Sequence, residues 1–231
     1  MQRSGMQHFL LVGTVLAFYA LGVGACGPPD EEAEPRLLPD EPGKLSPGAY
    51  HTDEFEPAFS FELGEGWAHE GSEASDALLI TRGRGLGGGL GFAKVREVYV
   101  YKPTKTAGTV VEAPEDLVGW FRGHPYLETT RPERVTVGGV EGRQLDVVVG
   151  ELPGDHHGDE CGDECVDLFR AGLAEAYPVS LWKGYRARFI VLEDVRGETV
   201  VTGLIGPSSV KFEQLAPEAR KVLDTVRWRG G

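Results

Sequence analysis

Apolar and polar residues alternate along several stretches of this chain, and the period changes to that of a helix in two places. Phe59, Phe61 and Leu63 are separated by Ser60 and Glu62, the period-two pattern of a half-buried strand, and Gly64-Glu65-Gly66 follows as a turn ahead of Trp67. A short apolar run covers residues 77–81, and a longer alternation covers 91–102. Residues 134–137 and 143–149 flank Gly138-Gly139 and predict a hairpin. A longer hairpin is predicted at 186–194 and 198–205, where β-branched residues crowd both sides of an Arg196-Gly197 turn.

The helical stretches have recognisable ends. Pro114 suits an opening turn, Glu115 and Asp116 sit where the helix dipole favours acids, and Leu117, Val118, Trp120 and Phe121 form one apolar face. Gly123 and Pro125 close that helix. Near the C-terminus, Phe212, Leu215, Ala219, Val222, Leu223 and Val226 recur at helical spacing; Pro217 marks a restart after an irregular turn, and Trp228 packs just beyond. Strand connections are mostly too short for parallel crossovers, so the expected fold is α+β, a mainly antiparallel sheet covered by helices, over residues 57–229.

The N-terminal region has a different texture. Arg3 precedes a run from Phe9 to Ala25 without any charge, too short and too glycine-rich for a permanent span and shaped like an export signal over residues 1–25. The run ends in Val23-Gly24-Ala25-Cys26, which resembles the lipobox of bacterial lipoproteins. That resemblance implies cleavage before Cys26, diacylglycerol on its thiol and usually an acyl chain (palmitate is typical) on the new amino terminus. Two or three chains together hold a protein on a bilayer, whereas one holds it only marginally. The expected location is the outer face of the cell membrane, or the outer membrane where the cell has one. Residues 26–56 are rich in proline and acids and poor in apolar residues, so they predict a disordered tether reaching up to about 90 Å.

With 36 acidic and 23 basic residues, a net charge of −13, the chain is unsuited to displacing counterions from nucleic acid. The order of elements adds a second resemblance. The Phe-rich first strand runs into Gly64-Glu65-Gly66-Trp67; the Gly138-Gly139 hairpin and the late long hairpin follow; and a terminal helix ends in Val222-Leu223-Asp224-Thr225-Val226. This looks like the PsbP-like α/β/α sandwich, which includes bacterial lipoproteins. It implies a scaffold or binding protein without known chemistry.

Candidate chemistry concentrates in residues 155–165, where Asp155, His156, His157, Asp159, Glu160, Cys161 and Cys165 lie close together. Such a set could hold zinc or copper, although Cys161-x-x-x-Cys165 beside paired histidines is not a finger spacing. In an exported protein the two thiols are expected to oxidise to a small-loop disulfide, leaving His156, His157, Asp155, Asp159 and Glu160 as the metal candidates. Gly83-Arg84-Gly85-Leu86-Gly87-Gly88 formally matches a dinucleotide fingerprint, but a strand follows where a helix is required, so it reads as a hairpin loop. His51 falls in the tether, His69 on a solvated strand face, and His124 at a helix C-terminus where a positive charge is favoured. Neither HExxH nor GxSxG occurs. The expectation is a monomeric, non-catalytic, membrane-anchored protein without a cofactor that binds a protein or small-molecule ligand. The alternative is an envelope metal-binding or metal-sensing protein built on residues 155–165.

Overall fold

The computed structural model describes residues 34–83, 88–101, 108–158, 162–171 and 178–229. In chain order the first elements are β1 (Arg36–Leu37), β2 (Gly43–Lys44), β3 (Gly48–His51), β4 (Phe59–Leu63), β5 (Trp67–Ala74) and β6 (Ala77–Arg82). Next come β7 (Gly89–Lys94), β8 (Glu97–Val100), β9 (Thr109–Glu112), α1 (Leu117–Gly123), β10 (Leu127–Thr129), β11 (Glu133–Val137) and β12 (Val140–Val149). The remainder are β13 (Cys165–Arg170), β14 (Pro178–Trp182), β15 (Arg186–Val195), β16 (Glu198–Gly206), α2 (Ser209–Thr225) and β17 (Arg227–Trp228).

A nine-stranded sheet in the order β10-β12-β15-β16-β7-β6-β5-β2, with β11 also on β12, forms the middle of the fold. Two four-stranded sheets accompany it, β1-β3-β4-β17 and β14-β13-β8-β9. Pairing is antiparallel throughout these sheets except between β1 and β3. Alternation along β15 assigns the two faces of the central sheet. Ala187, Phe189 and Val191 join Leu117, Val118 and Phe121 of α1 and Val98, Leu168 and Leu181 of the second small sheet. Ile190 and Leu192 join Phe212, Leu215 and Val222 of α2 and Tyr50, Phe59 and Phe61 of the first. Each side chain follows from the period-two pleat. The expected α+β class, a mainly antiparallel sheet covered by helices, is what forms. Among the described residues no helix is long and apolar enough to cross a membrane.

Both expected hairpins form in the register their turns dictate. Gly138 and Gly139 have φ of 59° and 82°, and Arg196 and Gly197 have 57° and 86°, the left-handed pairs that suit two-residue hairpin turns. Gly138 is further constrained, since a Cβ there would lie 2.6 Å from the Trp228 ring.

Four expectations are corrected. The tether assigned to residues 26–56 does not extend through them: from residue 34 the chain is folded, with β1, β2 and β3 paired and Leu38, Leu45, Tyr50 and Phe55 buried. Those four apolar residues are spaced widely among prolines and acids, so composition hides them, but each fills the core beneath β4 and β5. The alternation of 91–102 is cut into β7 and β8, which belong to different sheets. The first helix starts at Leu117 rather than Pro114, because Asp116 caps it by accepting a 2.7 Å bond from the Gly119 amide. Asp116→Ala should therefore cost about 1 kcal/mol, read as a lower urea midpoint. Finally, α2 runs unbroken through Pro217. That proline lies on the exposed side, where the carbonyl deprived of its donor can be hydrated.

Candidate functional site

After β12 the chain enters the loop that sequence singles out. His156 closes a turn through its amide to Pro153 O at 3.0 Å, and its ring is directed inward. It is only 3% exposed, and Nε2 donates to the Cys165 carbonyl at 2.6 Å. Gly158 and Gly162 then exchange backbone bonds of 2.6 and 3.2 Å, drawing the loop shut just before Cys165 enters β13 as a buried residue. His157 and Asp155 are exposed, so the neighbouring imidazoles diverge instead of converging on one point. Asp159, Glu160 and Cys161 lie outside the described residues, as do Cys26 and the whole 1–25 leader. Among the described residues no group of three potential metal ligands assembles.

What the loop does build is an aromatic and imidazole cluster that sequence gives no hint of. Tyr101, just past β8, stands 5.3 Å from His124, 5.2 Å from Tyr126 and 5.4 Å from His156, centroid to centroid. Tyr126 meets His156 at 5.1 Å, and Trp120 of α1 meets His124 at 5.4 Å. The Tyr101 hydroxyl accepts from the Asp167 amide at 3.0 Å and lies 3.3 Å from its carbonyl. The Asp167 carboxylate in turn accepts from the Ser180 hydroxyl at 2.6 Å. The cluster thus joins the end of α1, the segment after β8, the segment before β10, the 155–158 turn and β13.

Its electrostatics follow from dryness. His124 is 6% exposed, its Nδ1 accepts from the Tyr126 amide at 3.2 Å, and Nε2 has no partner. Burial, helped by repulsion from His156, pushes its pKa down to about 4. The expected favourable charge at the C-terminus of α1 is therefore overturned: desolvation outweighs the dipole, and the ring is neutral near pH 7. His69 departs from expectation in the same way. It is 2% exposed, with the 39–40 segment beside its ring, and burial lowers its pKa. Among the described residues, the two unpartnered imidazole nitrogens of this cluster, His124 Nε2 and His156 Nδ1, fall short of the four ligands of a structural zinc site. The arrangement suits a rigid joint beneath the loop.

A second buried ionic group sits on the opposite face of the central sheet. Asp146 of β12 accepts from Arg186 at 2.7 Å and from Arg188 at 2.6 and 3.0 Å, while Arg186 also reaches Glu213 of α2 at 2.7 Å. Burial opposes the Asp146 charge, but the bonds from Arg188 and Arg186 outweigh it and lower its pKa. Both guanidinium groups lie over the Phe212 ring, at 4.8 and 5.4 Å. This group clamps α2 to the sheet, and the cavity beside it, about 20 Å³ between Gln144, Arg188 and Ala219, has room for one water. At the glycine-rich hairpin between β6 and β7, Arg82 pairs with Glu218 of α2 at 2.7 Å; residues 84–87 lie outside the described set.

No protein-family model matches the chain, and no curated protein matches it. Two solved structures are distantly similar. The apo immunity protein TplEi of the type VI secretion system from Pseudomonas aeruginosa aligns at 13% identity with a TM-score of 0.34, covering 83% of this chain and 51% of that one. The chain thus spans about half the length of that protein. LpqN from Mycobacterium tuberculosis, involved in cell envelope biogenesis, aligns at 8% identity with a TM-score of 0.35, covering 81% and 90%. Likenesses this weak carry no argument about function.

Proposed function

We propose that this chain is an exported, lipid-anchored protein whose folded domain is held on the outer face of a membrane as a non-catalytic binding module. The observation that carries the reading is Val23-Gly24-Ala25-Cys26 at the end of an uncharged run, with the described fold starting at Glu34, eight residues beyond the cysteine. Eight residues of fully extended chain reach at most ~28 Å, so the domain stands much nearer the bilayer than a long tether would allow. We assign the domain to the PsbP-like α/β/α type, on the support of a central antiparallel sheet with α1 packed on one face and α2 on the other.

The reading includes a Cys161–Cys165 disulfide. What supports it is the compartment, since two neighbouring thiols of an exported protein oxidise readily. The rival metal-sensing function has less behind it, since His156 is turned into the core while His157 points to solvent. Mass spectrometry of membrane-extracted protein tests the anchor and the disulfide together. Cleavage before Cys26, a diacylglycerol adduct on Cys26 and a mass two hydrogen atoms below the dithiol form are the expected results. Cys26→Ser should move the protein from the membrane pellet to the soluble fraction after a high-salt wash; a variant that stays in the pellet refutes the anchor.

A further inference from the structure

Four arginines converge where the end of α1 meets the β11–β12 hairpin. Arg122 lies in the last turn of α1, and Arg131 precedes β11. Arg134 and Arg143 are direct partners across β11 and β12. Together with Pro132 they line an open cleft of about 350 Å³. Arg143 has the same parity as Leu145 and Val147, which pack towards α1, so the sheet and the helix supply their arginines to one side of the fold.

The local electrostatics run against the rest of the molecule. The chain carries a net charge of −13, and elsewhere Arg82, Arg170, Arg186, Arg188 and Arg220 each have a carboxylate partner. The four arginines of the cleft are exposed, and among the described residues none forms an ion pair or a side-chain hydrogen bond. The closest carboxylate in sequence, Glu133, exerts its field on Arg188, on the α2 side of the sheet. Like charges directly opposite one another in an antiparallel pair are destabilising. Glu141, opposite Thr136 and two residues from Arg143, shares that side of the sheet but forms no ion pair among the described residues, so folding gathers four positive charges around a single nearby acid.

We propose that this cleft binds a phosphate-bearing anion, with Arg134 and Arg143 as its principal ligands and Arg122 and Arg131 closing the sides. A guanidinium donates paired N–H groups to phosphate or carboxylate oxygens. Donors arriving from a helix end, a loop and two strands suit a tetrahedral group, which offers oxygens in several directions, better than a carboxylate, whose two oxygens share a plane. The volume falls within the ~300–1,000 Å³ of small-molecule sites, and so points to two phosphates or to a phosphate carrying an organic group. Salt screens the attraction of the exposed guanidinium groups for the anion, so binding weakens as ionic strength rises. The inference gives the binding role proposed above its ligand class. The two fail separately: an unlipidated Cys26 would remove the anchor and leave the cleft, and an inert cleft would leave the anchor.

Calorimetric titration of the full chain at low ionic strength tests this with two probes, inorganic pyrophosphate and dihexanoyl phosphatidic acid below its micelle concentration. The Arg134→Gln/Arg143→Gln double variant should bind about tenfold more weakly or worse. It should also melt no lower than the wild type, because the substitution relieves repulsion. Tighter binding of pyrophosphate would assign a soluble ligand, and tighter binding of the short-chain lipid a membrane headgroup. Binding of neither probe, or equal binding by the double variant, would overturn the proposal.

Discussion

A chain from which residues 34–57 have been deleted should fail to fold. That segment buries Leu38, Leu45, Tyr50 and Phe55, and each such side chain contributes roughly 1.5–3 kcal/mol on leaving water. The sum, about 6–12 kcal/mol, is comparable with the whole stability of an ordinary domain. Further losses add to it. Thr52 exchanges hydrogen bonds with Phe59 at 3.0 and 3.4 Å, β3 is the partner of β4 along four residues, and β2 pairs with the edge of β5. Circular dichroism and thermal melting of the deletion variant decide the matter. A cooperative transition near the wild-type temperature would mean that the segment is a passive tether after all.

Acidification from pH 7 to pH 4 should remove about 3 kcal/mol of stability through His124 alone. The sign follows from where the protons go. His124 titrates at about 4 in the folded protein, against an ordinary 6.5, because its ring is buried beside His156. Between those values the unfolded chain binds a proton that the native chain refuses, so stability is intact above pH 6.5 and is lost as pH falls towards 4. His69, also lowered by burial, adds a loss of the same sign. Glu73 acts in the opposite direction, since burial raises its carboxyl and the native state takes up its proton more readily on acidification. Asp146, held low by its arginines, contributes a loss only at still lower pH. Urea unfolding at pH 7 and pH 4 for wild type and His124→Gln isolates the residue. The variant should show a pH dependence shallower by about 3 kcal/mol, and parallel profiles would refute the assignment.

Part of the arginine cleft is legible in the hairpin register. Gly138-Gly139 at the tip of a two-residue turn sets Val137 opposite Val140, and counting outward brings Arg134 opposite Arg143. That like-charge pair was thus available from hairpin register alone. Its companions were not: Arg122 reaches the cleft only because α1 packs on that face of the sheet. The Tyr101, His124, Tyr126 and His156 cluster was equally illegible, since its members sit in segments far apart in sequence, and no local pattern distinguishes an imidazole that will be buried from one that will be hydrated.

By itself, the amino-acid order determined the first Phe-rich strand, both glycine-turned hairpins, the two helices and the mainly antiparallel α+β class, because each rests on a periodicity or a backbone preference acting over a few residues. Tertiary structure alone decided that 34–57 belongs to the core, that 91–102 divides between two sheets, that α2 continues through Pro217, and which histidines lose their charge. Those outcomes depend on what lies on the far side of a residue once the layers close. Water excluded there changes the free energy of a buried leucine or a protonated imidazole by more than any local preference does.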